Sequence, residues 1–554
     1  MPQLLAAIII ALAWLVPNHY PPWVSFYNEA MMAIGLLILA LDPVGWRAKR
    51  GLCACAWVVF VVILVPWGQW FAGLLHFSGD LWVITLYLLG LAVAVQVGYE
   101  RGHANSVEFA ALVSSATLVA GVVSALLGIN QVFQAASLAI WSMDGAAGMR
   151  AGANLAQPNN LATLLGFAVL SLFVLREQRK LSTLPSLFLL LVLLIGASLT
   201  QSRAALLFGP LIVVAAWILK RRSVPIKTNW LTLMAATACH WLFTSMWPAL
   251  ERAMHSTAPL TLGERGVASV RFQIWPALID ALSQSPWLGY GWLQVGAAEM
   301  NAAESHAPLD ELWLQGHNLF LELVIWCGYP LGLALCGLVI YWVVSRLLWI
   351  STVEAALGWM TVGVLGVHAM VELPHHYAYF LLPAGLWIGL IEASIGSRAW
   401  MADSWSKALS MVTFVLLLAV VKDYPAVEDD FRLVRFEFLR IGKIHPAEPA
   451  PDAPFLSSLT AFLAYSREVP TSGLTAQQLS EMEAITLRYP YPGSILRYAS
   501  ALALNGRIEE ARLMFVKLRS IYGQQMYDSV RTDLRERIAI GEPNLLAFEK
   551  SLPP

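Results

Sequence analysis

Charged residues are scarce in this chain, 13% of 554 residues, where an ordinary soluble protein carries roughly a quarter. That scarcity, with a mean hydropathy of +0.63, excludes a fully solvated globular chain. Cysteine is scarce too. The five residues Cys53, Cys55, Cys239, Cys327 and Cys336 all lie inside apolar runs, so no disulfide framework of a soluble loop is expected. Cys53 and Cys55 lack a second pair or histidines at zinc spacing, and no other Cys/His cluster has metal-ligand spacing. No glycine-rich phosphate loop and no G-x-S-x-G elbow occur. Nucleotide binding, a resident metal or cofactor and a nucleic-acid partner are therefore not expected.

Apolar runs are what the chain has in abundance. Residues 1 to about 421 form about thirteen of them, several near the roughly 18–20 residues a helix needs to cross a bilayer. Long runs without alternation do not suit a β-barrel. The expected fold is all-α: a polytopic helical membrane protein with spans from 3–17 to 408–421, among them 52–66, 81–98, 107–128, 159–175 and 318–345. The first run lacks a basic flank and a small-residue cleavage site, so it reads as a retained span and not a removed signal peptide.

Lysine and arginine orient the spans. "WRAKR" (46–50), "REQRK" (176–180) and "KRRSVPIK" (220–227), with Arg101, Arg346, Arg398 and Lys407, put 14 basic residues on one side. The opposite loops hold five: Arg150, Arg203, Arg252, Arg265 and Arg271. The basic side is expected to be cytoplasmic, with the N-terminus inside. The long loop 248–317 and the tail 422–554 then lie outside. The loop's "RFQIWPALIDAL" has helical spacing. The tail carries 16 of the 35 basic residues and forms a second, helical domain. Within it "RYASALALNGRIEEARLMFVKLRSIYG" reads as two short helices joined at Asn505-Gly506, and Ala511 and Phe515 have the A-x3-F spacing of a tetratricopeptide repeat. A plain helical hairpin fits the same residues.

Polar groups gather at the outside ends of the spans, where ionisable residues are costly and therefore functional candidates. Arg203 in "SLTQSRAALLFGP" is either a snorkelling interfacial arginine or an anion clamp, since a guanidinium fork matches phosphate. Arg265 and Arg271 add to the same field. His317 in "LQGHNLFLELV" caps a helix or accepts a proton from a hydroxyl, with Asn318 and Glu322 within about a turn to orient it. Glu372, His375, His376 and Tyr377 crowd one outside turn. Gln157 and Asn159 start a span at Pro158, a residue suited to a first helical turn. Asn18, His19 and Tyr20 complete the set of outside junctions.

The order "TQSRAA" (200–205), "RFQIWPALIDALSQSPWLGYG" (271–291) and "GHNLFLELVIWCGYPLG" (316–332) resembles the O-antigen ligase and polymerase superfamily. "PNHYPPWVSFYNEA" (17–30), "AQPNNLATLL" (156–165), "VELPHHYAYFLLP" (371–383) and "KDYPAVEDDFRLVRF" (422–436) narrow the resemblance to bacterial protein O-oligosaccharyltransferases of the pilin-glycosylation type. It implies an inner-membrane enzyme with its site in the periplasm. A glycan preassembled on a polyprenyl (undecaprenyl) diphosphate would pass en bloc to Ser or Thr of a periplasmic protein such as a pilin, with no metal or cofactor. The family's essential histidine falls on His317, its glutamine on Gln157, its tyrosine on Tyr377, and its arginines on Arg203 and Arg271. An O-antigen ligase or polymerase acting on lipid A–core or a growing glycan is the alternative. A lipid-linked sugar flippase or transporter stands further off, because no internal hydropathy repeat is visible. A structural anchor would leave the membrane-edge arginines unexplained.

Overall fold

The computed structural model describes residues 1–42, 51–133, 141–142, 150–254, 271–439, 449–540 and 543–553. Among these residues the chain is helical and has no strand, only an isolated bridge between Cys53 and Ala399. Six helices are long and apolar enough to cross a membrane, and five shorter apolar ones accompany them. The chain is a multi-pass membrane protein by this measure and by its composition. Runs 81–98 and 107–128 form one helix, Ser78–Val132, broken in backbone geometry only at Asn105. Run 52–66 is divided into Ala54–Val62 and Leu64–Phe71.

The helices fall into two units, described separately. The first comprises Met1–Ile63, Thr85–Ala268 and Leu338–Leu418. Helix Pro158–Glu177 is apolar almost all round and is its most enclosed long helix. Small residues bring other helices close: a Cβ on Gly98 would lie 2.1 Å from the Leu386 carbonyl oxygen, and one on Gly389 would lie 1.9 Å from that of Val95. Such contact is how helices associate where lipid removes the hydrophobic driving force. Two of its buried carboxylates are paired with arginines, Asp42 with Arg101 at 2.9 Å and Glu392 with Arg346 at 2.7 Å, which offsets their desolvation.

The second unit comprises Leu64–Ile84, Ser269–Gly337 and Ala419–Pro554. Helix Arg271–Gln284 forms where the spacing of "RFQIWPALIDAL" places it. Its Ile274, Ala277, Leu278 and Leu282 share a core with Leu323, Ile325 and Trp326 of helix Leu319–Trp349. The tail contributes Pro492–Leu504 and Ile508–Ile540, joined at Asn505-Gly506, with Ala511 and Phe515 fully buried. Arg488 and Ser458 of the tail both bond Asp80, at 2.8 and 2.9 Å.

Candidate functional site

In the first unit the polar junctions converge on Asn159. Pro158 starts the helix, with Gln157 as its N-cap, so Asn159 sits in the first turn. Its amide donates to Glu372 Oε1 at 2.7 Å. Its Oδ1 accepts from Arg150 Nη2 and from Ser202 Oγ, both at 2.9 Å. Arg150 Nε is held in turn by the Thr200 carbonyl at 2.8 Å. One asparagine thus ties together the 150–160 segment, the "TQSR" turn and the "VELPHH" turn. Arg203, exposed, follows Ser202 directly at the start of the short 3-10 turn Ala204–Leu207. One turn deeper, Thr163 bonds the Asn159 carbonyl at 3.1 Å, and its hydroxyl lies 2.5 Å from Nδ1 of the fully buried His368.

Tyr377 caps helix Ala378–Ser394, and its hydroxyl approaches Gln157 Oε1 at 3.4 Å. Burial raises the Tyr377 phenol above its ordinary range, so it stays a neutral donor. The rings of His375 and His376 meet edge to face at 4.5 Å. His19 works on the backbone: its ring nitrogens lie 2.7 Å from the Asn154 carbonyl and 3.2 Å from that of Val24. A neutral imidazole donates to only one of these. His19 therefore fixes the 17–24 segment against the 153–156 turn.

In the second unit His317 has a left-handed backbone, φ 50°, which a non-glycine residue adopts only when its surroundings hold it there. Contacts on both sides of it are among those that do so. Trp275 Nε1 donates to the Gly316 carbonyl at 2.8 Å, and the Gly316 N–H donates to Glu322 Oε1 at 2.8 Å. Asn318 Oδ1 accepts from the amides of Phe320 and Leu321, at 3.0 and 3.1 Å, which makes Asn318 the N-cap and leaves His317 just outside the helix. The Trp313 ring meets the imidazole edge to face at 4.8 Å. Asn318 and Glu322 thus hold the backbone on either side of His317. Beneath Trp313 lies Glu299, 1% exposed, whose Oε2 accepts the Trp313 N–H at 2.8 Å. Burial, with Glu311 adding to it, pushes the Glu299 carboxyl up to about 8.

Arg271 is the first residue of its helix, and Arg265 lies outside the described residues. Sequence reasoning missed Arg150 as a member of the Asn159 cluster, and it missed Ser202, His368, Trp275, Trp313 and Glu299. Arg150 carried a signal, a basic residue on the side poor in them. The others looked like ordinary helix and loop residues.

Two family descriptions match the chain: "O-Antigen ligase" over residues 187–336 and "Virulence factor membrane-bound polymerase, C-terminal" over residues 356–536. A General O-oligosaccharyltransferase of Acinetobacter baylyi is 27% identical over 534 residues, which is 94% of this chain and 92% of that protein. A ComP-specific O-oligosaccharyltransferase of the same organism is 27% identical over 392 residues, 69% of each chain. These matches bear out the resemblance carried by "TQSRAA", "RFQIWPALIDAL" and "GHNLFLELV": the chain is similar to the O-antigen ligase family over 187–336 and to O-oligosaccharyltransferases along most of its length.

Proposed function

We propose that this protein transfers a preassembled oligosaccharide en bloc from a polyprenyl (undecaprenyl) diphosphate to Ser or Thr hydroxyls of periplasmic acceptor proteins such as pilins. The similarity to a general O-oligosaccharyltransferase along nearly the whole of both chains carries this reading. The sidedness of the basic residues supports a reaction on the periplasmic face of the inner membrane.

In the proposed reaction the acceptor oxygen attacks the anomeric carbon, the bond from that carbon to the diphosphate oxygen breaks, and the configuration inverts. A neutral hydroxyl is a poor nucleophile, and His317 takes its proton. The departing polyprenyl diphosphate gains negative charge, which Arg203 and Arg271, with Arg265 in the same loop, are suited to stabilise. Gln157, Tyr377 and His376 contact sugar or acceptor. Asn159, bonded to Arg150, Ser202 and Glu372, holds the segment that carries Gln157. The family resemblance implies that no metal is required.

The O-antigen ligase and polymerase matches favour one second reading, the same chemistry on lipid A–core or a growing glycan. A reconstituted assay separates the two. Purified protein, a polyprenyl diphosphate oligosaccharide and a pilin-like acceptor are combined with EDTA, beside a His317→Ala control. One glycan added to the acceptor's intact mass, lost in His317→Ala, is the expected result. Addition to lipid A–core or to a longer glycan, with none to protein, would move the chain to the second reading. Undiminished transfer by His317→Ala would overturn the base assignment.

A further inference from the structure

Helix Leu319–Trp349 has 31 residues, longer than a bilayer needs, and its backbone breaks at Gly328, φ 73°. The break divides two kinds of surface. Residues 322–328 are all buried, whereas Tyr329, Leu331, Leu333, Leu338, Ile340 and Tyr341 are exposed. From Tyr329 to Trp349 about 20 residues remain, ~30 Å of helix, the thickness of a hydrocarbon core. The lipid-facing part of this helix therefore begins at Tyr329.

The break frees backbone groups. The Ile325 carbonyl loses the Tyr329 amide, and the Trp326 carbonyl loses its partner because Pro330 has no N–H. Segment 286–291 fills these vacancies. Tyr290 N donates to Ile325 O at 2.8 Å, Gly291 N to Trp326 O at 3.1 Å, and Tyr329 N to Pro286 O at 2.8 Å. Gln69 Nε2 adds a second bond to Trp326 O at 2.7 Å. Gly289 and Gly328 face each other: a Cβ on the first would lie 2.5 Å from Gly328 N, and a Cβ on the second 2.4 Å from the Trp287 carbonyl oxygen. Full satisfaction of irregular backbone by protein is what membrane depth demands. Between the anchor points 286 and 290, Trp287 and Leu288 stand 75% and 61% exposed, level with Tyr329.

We propose that Trp287 and Leu288 seat the 285–291 turn in the interfacial region of the bilayer, with lipid as their partner. The surface they extend is the apolar one that begins at Tyr329 and continues along the spanning helix, and an indole beside a tyrosine is the pairing that membrane interfaces enrich. The seat also fixes the height of His317. The ten residues of Leu319–Gly328 are at most about 15 Å of helix, so the histidine stands within that distance of the bilayer edge.

Photocrosslinking of the full chain tests this. Benzoylphenylalanine replaces Leu288, or Trp287 where the first variant folds poorly, with Ser472 in the exposed "TSG" loop of the tail as the control site. Each is reconstituted in phosphatidylethanolamine–phosphatidylglycerol vesicles, illuminated and analysed by mass. A lipid adduct at 287 or 288, with none at 472, is expected. Crosslinks at both positions confined to protein, whether a second copy or an added acceptor, or no adduct at either, would overturn the proposal.

Discussion

Replacing Glu299 with Gln removes a titration and leaves the shape in place. The carboxyl is 1% exposed, and among the described residues it has one hydrogen bond, from the Trp313 amide, while its other oxygen has none. The charged group acting on it is Glu311, and Tyr522 is shifted by it in turn. Among the described residues no cation offsets its desolvation, so the neutral acid is favoured in the folded form, and its pKa moves from 4.5 to about 8. The sign follows. A carboxyl raised in the folded state contributes fully below the unfolded value near 4.5, and that contribution is lost as pH rises towards 8. At about 1.36 kcal/mol per pH unit the whole interval amounts to roughly 5 kcal/mol, an upper figure. Between pH 5.5 and 8 the wild type should lose about 3 kcal/mol that Glu299→Gln does not, several degrees in Tm. Thermal unfolding of both proteins in one detergent, across that range, measures the difference. Parallel pH profiles would refute the burial argument.

The Asn159→Ala variant removes three hydrogen bonds at once, those to Arg150, Ser202 and Glu372. At ~1 kcal/mol for each bond, transfer to a pilin-like acceptor should fall at least about tenfold at normal expression, and unchanged glycosylation would refute the hub role. In Asn318→Ala the helix loses its N-cap, worth about 1 kcal/mol, and transfer should drop while Asn318→Asp restores most of it. A methyl in Gly289→Ala meets Gly328 N and Ile325 O at 2.5 Å from a left-handed backbone, so a loss of more than ~2 kcal/mol is expected from thermal unfolding, and a wild-type Tm would contradict the close approach.

The helical class and the breaks near most helix ends were legible because apolar period and Pro/Gly punctuation are local signals. The membership of the Asn159 cluster was half legible. Gln157, Asn159, Glu372 and Tyr377 stand out as polar residues at apolar edges, and the structure links Gln157 with Tyr377 and Asn159 with Glu372. Arg150 and Ser202 join through Asn159 from other segments, and no spacing rule reports a bond across nine or 43 residues. The 318–345 run reads as one span because hydropathy is blind to backbone direction. Only the pairing of 286–291 with 325–329 shows that its first ten residues belong with the loop.

The residues around His317 make the same point about chemistry. A search for partners of a catalytic histidine looks for side chains that reach its ring, and so it selects Asn318 and Glu322. Both bond main-chain amides, Asn318 those of Phe320 and Leu321, Glu322 that of Gly316. The strained φ of 50° explains why. A β-carbon in left-handed geometry costs of order 1–3 kcal/mol, and the flanking backbone must be fixed from both directions to keep it there. Trp275 secures the Gly316 carbonyl and Glu322 its amide, so two side chains more than 40 residues apart hold the two peptides that flank the Gly316 Cα. The Trp313 ring meets the imidazole edge to face at 4.8 Å, and the Trp313 amide is held by Glu299. Trp313 and Glu299, which the sequence does not single out, thus belong to the surroundings of His317 as much as the polar residues beside it.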